Sequence, residues 1–278
     1  MRKYAIGAVV SGALALSALA VPSASAATPD LSFSGVVVNN GKPIVVGTTK
    51  TVKVPVTYTF VRPADLVVDG TKSVAGVLLY RGASLSRQEN ELGPDDAPTC
   101  TTKATTATTV TQSCTEVIYV EPDEYLYEAA DAGTWKVAGF YSDTVVDNDD
   151  SDNHISMQFG YDMWGVPGTA QVKRAARLTA NATPEPVKKG ATLTVKGALT
   201  RADWNSGKYA GYKGQSVVLQ FKAKGATAYK AVKTVTSGTA GALSTTVKAS
   251  TDGTYRYAFA GTATTGTATA TGDYVDVR

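Results

Sequence analysis

The chain has 278 residues, a formal net charge of +3, one His and two Cys. That length suits two domains of ordinary size. A single His leaves catalytic or metal-binding thiols without an evident partner, and no Gly-x-Ser-x-Gly elbow offers a hydrolase nucleophile.

Residues 1–26 read as a signal peptide. Arg2 and Lys3 form a short positive end, residues 6–19 are apolar, and Ala24-Ser25-Ala26 fits the small-residue cleavage rule. The apolar run is too short to span a bilayer, so the expectation is a secreted, extracellular protein cut near Ala26-Ala27, with no transmembrane segment in the mature chain. No Cys follows the run for lipid attachment, and no hydrophobic, basic tail ends the chain.

Past the leader, Thr, Ala, Gly and Val favour short strands and turns. Residues 31–38 read as a strand followed by a hairpin turn at Asn39-Asn40-Gly41. Over 50–60, Val52, Val54, Val56, Tyr58 and Phe60 point one way, while Lys53, Thr57 and Thr59 point the other. Pro55 falls on the outward face, which predicts an edge strand or a bulge there. Further strands are expected at 74–80, 116–120, 135–141 and 155–163, with at most one helical turn within 121–131.

Cys100 and Cys114 have thirteen residues between them. In an oxidising compartment they predict one disulfide, contributing about 3 kcal/mol in the loop-entropy model. The enclosed Thr-rich run reads as a polar hairpin or exposed loop.

The most suggestive polar stretch spans 143–153. Asp147, Asp149 and Ser151 alternate as oxygen ligands of a calcium loop would, with Asp143 or carboxylates from Glu121 to Glu128 to complete the set. Yet no Gly follows at the sixth position and no Glu at the twelfth. The stretch reads first as a solvated acidic hairpin tip, with a calcium site as the alternative and no other cofactor expected. His154 borders it, as a strand-edge residue or else a general base or ligand.

Gly165-Val166-Pro167-Gly168 closes the first module, and strands follow at 177–182, 193–199, 217–222, 229–235, 243–247, 255–259 and 274–277. The motif Gly133-Thr134-Trp135 recurs as Gly253-Thr254-Tyr255, each time after an acidic turn and at the head of an alternating strand. An inward aromatic at such a corner is a sandwich feature. The fold class expected is therefore all-β: two immunoglobulin-like β-sandwich domains in tandem, over 27–168 and 173–278.

The run Arg177-Leu178-Thr179-Ala180-Asn181-Ala182-Thr183-Pro184-Glu185-Pro186-Val187-Lys188-Lys189-Gly190 continues through Leu193-Thr194-Val195-Lys196-Gly197, Gly211-Tyr212 and Asp252-Gly253-Thr254-Tyr255-Arg256. It resembles the C-terminal module of secreted proteins of high-GC Gram-positive bacteria. That resemblance implies a bacterial immunoglobulin-like domain over roughly the last hundred residues. Some such proteins carry a calcium-binding label, and the resemblance brings no catalytic residues.

Charge divides the two modules. Residues 27–172 hold 9 Lys and Arg against 19 Asp and Glu, net −10, and residues 173–278 hold 16 against 5, net +11. Such a dipole favours docking between the domains, head-to-tail association, or contact of the basic half with anionic wall polymers. Export and the absence of a base-reading motif argue against nucleic acid as partner. The expected function is a non-catalytic secreted or envelope-associated binding protein, monomeric or weakly self-associating, whose partner is an anionic wall polymer or another protein. A calcium-dependent adhesion module is the alternative, and a secreted hydrolase has only compartment and scattered carboxylates in its favour.

Overall fold

Apolar side chains at alternate positions set the faces of the core strands. A computed structural model describes residues 29–70, 72–143 and 160–278. Its first strands are β1 (Ser32–Val38), β2 (Ile44–Val46), β3 (Val52–Pro63), β4 (Ser73–Gly82) and β5 (Gln88–Leu92). They continue with β6 (Thr99–Thr105), β7 (Thr109–Val120), β8 (Gly133–Asp143) and β9 (Gly160–Arg174), and a four-residue helix, α1 (Pro122–Tyr125), precedes β8. One sheet orders β1-β3-β7-β6 and the other β2-β9-β8-β4-β5. All these pairings are antiparallel except β2 beside β9. This is an immunoglobulin-like sandwich, with the opening strand shared between the two sheets.

The core between the sheets takes Val54, Val56, Tyr58 and Phe60 from β3, Val77 and Leu79 from β4, and Trp135 and Val137 from β8. Burying each such side chain contributes about 1.5–3 kcal/mol.

Two turn readings change. Asn39-Asn40-Gly41 does not close a hairpin, because β1 pairs with β3 whereas β2 pairs with β9. All three residues have positive φ, and this left-handed run carries the chain from one sheet to the other. Likewise β3 is an interior strand despite Pro55. The β1 pairing ends at Val56, so Pro55 faces a neighbour only on the β7 side, opposite Val117. At that point the missing N–H removes no bond to β1.

The second half repeats the plan. Its strands are β10 (Ala176–Leu178), β11 (Asn181–Thr183), β12 (Thr192–Asp203), β13 (Lys208–Gly211) and β14 (Ser216–Ala223). They are followed by β15 (Lys230–Thr236), β16 (Ala242–Lys248), β17 (Gly253–Phe259), β18 (Ala268–Thr269) and β19 (Asp273–Val275). One sheet gathers β10, β11, β13 and β16 around β12, and the other runs β15-β14-β17 with β18 and β19 beyond. Val187 bridges Val277 in parallel, repeating the sheet crossing of β2. Leu193, Val195, Leu219, Tyr257 and Phe259 fill the core between these sheets.

Only Ala175 separates β9 from β10, and the two sandwiches meet there closely. The Arg174 N–H donates to the Thr264 carbonyl at 3.0 Å, and the Gly266 N–H donates to the Arg174 carbonyl at 2.9 Å. Trp204, from the turn after β12, is buried in the apolar core of the first sandwich together with Ala202. Its indole N–H donates to the Gly47 carbonyl at 2.9 Å. A Cβ at Gly266 would come within 2.9 Å of Val45, so glycine there permits the close approach.

Candidate functional site

Asp143 and Gly160, the described residues that flank the acidic stretch, lie at the end of the first sandwich remote from this junction. Gly133, at the start of β8, pairs with Val172 near the junction, and Asp143, at its other end, pairs with Gly160. Eleven residues of strand separate those ends by roughly 30 Å. Pro63 pairs with Thr109, so the 64–72 connection and the Thr106-Ala107-Thr108 turn share the end that carries Asp143. Asp147, Asp149, Ser151 and His154 lie outside the described residues. Asp143 itself is half-buried at its strand end. Among the described residues no group of three or more His, Cys, Asp or Glu is arranged to hold a metal ion.

Cys100 and Cys114 form the disulfide. They are directly opposed on β6 and β7, with Cα atoms 4.1 Å apart. The Thr-rich run between them is a hairpin whose turn is held by Thr106, its hydroxyl accepting from the Thr109 N–H at 3.0 Å. The bridge therefore joins neighbours within one sheet, whereas antibody domains tie their two sheets together with theirs.

A buried carboxylate ties the sheets instead. Glu116 on β7 accepts the Tyr58 hydroxyl at 3.0 Å and, from the opposite sheet, the Val77 N–H at 3.1 Å. The β4–β5 pairing covers only 79–82 of β4, so Glu116 serves the part of β4 that β5 leaves open. Gly76 makes room, since a Cβ there would lie 2.9 Å from the carboxylate. Burial pushes the Glu116 carboxyl up to about 7, against the opposing pull of its two hydrogen bonds. A raised carboxyl pKa often marks a catalytic acid. Here the residue is 5% exposed and both oxygens are engaged, so the group acts as a structural bridge.

The repeated corner is locked differently in each half. The Trp135 indole N–H donates to the Asp131 carbonyl at 2.9 Å. The Asp131 carboxylate accepts the Tyr127 and Glu128 N–H groups, the Asn90 amide and Arg81 Nε. In the second half Tyr255 packs on Phe221, with ring centroids 4.5 Å apart, and the Tyr257 hydroxyl donates to the Val195 carbonyl at 2.9 Å. Both corners are scaffold.

The second sandwich holds its cations by rings more than by acids. With 16 basic residues against 5 acidic ones over 173–278, carboxylates run short. Its described ion pairs are Lys224–Asp252 and Arg278–Asp276. Arg177 lies 3.6 Å from the Tyr209 ring centroid, and Arg201 lies 4.1 Å from that of Tyr212. The densest group is on the outer face of the β15-β14-β17 sheet. There Arg256 lies 3.6 Å and the Lys222 ammonium 5.1 Å from the Tyr229 ring centroid.

Arg256 alternates with the buried Tyr255 and Tyr257, so it points outward, and the register places it opposite Gln220 on β14. Its Nε donates to Gln220 Oε1 at 2.9 Å. Among the described residues no carboxylate lies within ion-pair distance of Arg256 or Lys222. Sequence reasoning placed a strand at 217–222 but did not connect its Gln220 and Lys222 to Tyr229 and Arg256. The available signal was Arg256 between two inward aromatics, opposite a strand with a polar outer face.

No helix among the described residues is long and apolar enough to cross a membrane. No protein-family model and no curated protein matches the chain. Among solved structures it is similar to titin domains, at 9% identity and a TM-score of 0.25, over 87% of this chain and 66% of that one. It is also similar to the mouse nectin-like molecule 4 ectodomain, Ig1 to Ig3, at 15% identity and a TM-score of 0.22, over 90% and 64%. The chain thus covers slightly under two thirds of each, and its own strand order and two cores establish the fold as a tandem of immunoglobulin-like sandwiches.

Proposed function

We propose that this is an exported, non-catalytic binding protein that uses its basic second sandwich to contact anionic polymers of the cell wall and presents its acidic first sandwich outward. The observation that carries the reading is the division of charge, −10 against +11, between two sandwiches joined by backbone and indole hydrogen bonds. A molecule with a basic body and an acidic tip is built to be oriented by a charged surface. The resemblance of 177–190 to exported bacterial immunoglobulin-like modules supports the same compartment. The buried state of Glu116 supports a scaffold role in place of acid catalysis.

Co-sedimentation of the purified protein with isolated cell wall tests it. Binding is expected at low ionic strength and should fall steeply between about 0.05 and 0.5 M salt, as the Debye length shrinks. Binding indifferent to salt, or none at any ionic strength, overturns the reading.

A further inference from the structure

We infer that the junction between the sandwiches holds a small monovalent anion, gripped by the Arg174 guanidinium at the end of β9 and the Thr265 hydroxyl from the loop after β17. This site lies apart from the wall contact and does not depend on it.

Strand geometry brings the two donors together. Arg174 pairs in parallel with Val46 on one side and with Thr265 on the other. Paired residues of parallel strands turn their side chains to the same face of the sheet. Val46 is fully buried in the core of the first sandwich. Arg174 and Thr265 therefore also point inward, at the end of that core where Trp204 packs.

Both donors are buried and unmet. Arg174 is 6% exposed and Thr265 is fully buried. The Thr265 hydroxyl has no hydrogen-bond partner among the described residues. The Arg174 backbone is satisfied by Thr264 and Gly266, but no guanidinium N–H of Arg174 donates to a described residue. Among the described ion pairs none includes Arg174. The Trp204 ring, 5.1 Å from the guanidinium to its centroid, offsets part of the charge and offers no oxygen to the N–H groups.

Charge selects the occupant. A water molecule satisfies the hydroxyl but leaves a buried cation without a counter-ion, which is costly. Burial pushes the Arg174 pKa down, and the like charge of Arg201 pushes it down further. Asp203 and Asp131 pull the other way, yet Asp131 is committed to Arg81 at 3.0 Å and Asp203 accepts the Ser206 hydroxyl at 2.7 Å. The site presents only N–H and O–H donors with positive charge, so its ligand is a negatively charged acceptor. Desolvation cost rises with the square of the charge, which favours a monovalent anion over a divalent one at a buried position. Arg174 belongs to the first sandwich and Thr265 to the second, so the anion ties the two together.

The test is urea unfolding of the purified protein in sodium chloride against sodium gluconate at equal ionic strength, with anomalous diffraction from bromide-soaked crystals. Chloride should raise the unfolding midpoint and level off at saturation, as for a ligand that binds only the folded state. Thr265→Val keeps the shape and removes the hydroxyl, and should weaken the apparent chloride affinity about tenfold. Arg174→Met should abolish the chloride dependence. Arg256→Ala, on the outer face of the other sheet, should leave it unchanged. A bromide peak should lie within hydrogen-bond distance of the Arg174 guanidinium.

Equal midpoints in chloride and gluconate leave the site to water and overturn the inference. A chloride dependence shared by wild type, Thr265→Val and Arg174→Met is a general salt effect and overturns it as well. If Arg174→Met does not fold, the Thr265→Val comparison and the bromide position decide. A bromide peak at Arg256 with none at Arg174 moves halide binding to the outer sheet face and sinks the junction site. Salt-sensitive wall binding stands or falls independently of these outcomes.

Discussion

The Trp204 indole of the second sandwich donates its N–H to the Gly47 carbonyl of the first at 2.9 Å, and the ring is buried in the first sandwich's core. Arg174 caps the ring from 5.1 Å and is itself 6% exposed. A side chain from one module thus completes the core of the other.

Replacing Trp204 with Ala should therefore cost about 3–5 kcal/mol, as for other buried aromatics. The loss should fall on the coupling between sandwiches. Differential scanning calorimetry should show the first sandwich melting earlier and separately from the second. An unchanged thermogram would contradict the shared core.

Glu116 makes stability depend on pH with an unusual sign. Its folded pKa of about 7 lies above the ordinary 4.5, so the folded state holds the proton more tightly than the unfolded one. The contribution is complete below pH 4.5 and is lost as pH rises towards 7, amounting to about 3 kcal/mol. Glu116→Gln keeps an acceptor for the Val77 N–H and carries no charge. Relative to wild type it should be more stable at pH 8 and similar at pH 4.5, measured by urea unfolding at both pH values. A difference independent of pH would show that the carboxyl does not titrate in this range.

Asp131 is fully buried and gathers four donors, among them Arg81. Asp131→Ala leaves the Arg81 Nε, the Asn90 amide and two backbone N–H groups without this acceptor, while Arg81 keeps Glu89 and Glu128, and should destabilise the first sandwich by about 3 kcal/mol. Asp252, at the corresponding turn, accepts the Val277 N–H and pairs with the exposed Lys224. Asp252→Ala should have a clearly smaller effect in the same denaturation assay.

Removing the disulfide by replacing Cys100 and Cys114 together with Ala should cost about 3 kcal/mol, the loop-entropy value for a loop of about 15 residues. The loss arises in the unfolded chain, so it should be global to the first sandwich. Urea unfolding should show a lower midpoint, and an unchanged midpoint would contradict this.

The legible parts were those written in consecutive residues. Val52, Val54, Val56, Tyr58 and Phe60 alternate, and they line one face of β3 as that pattern requires. By contrast, Thr99–Thr105 has no apolar alternation, and it is a strand because β7 and the disulfide hold it there. Asn39-Asn40-Gly41 has the chemistry of a tight turn, yet nothing local says whether the strands it joins will pair. Nothing near Trp204 in the sequence points to Gly47, 157 positions earlier, whose carbonyl its indole reaches.

The same division holds for function. Composition along the chain is enough to separate an acidic half from a basic one and to place the two repeated corners. The meeting of Tyr229, Arg256 and Lys222 depends on the register Gln220↔Arg256 between β14 and β17, a pairing across 36 positions. Periodicity is a property of neighbouring residues and is readable as written. Register, sheet crossing and domain docking are set by contacts between distant segments, whose free energies compete only once the chain has folded.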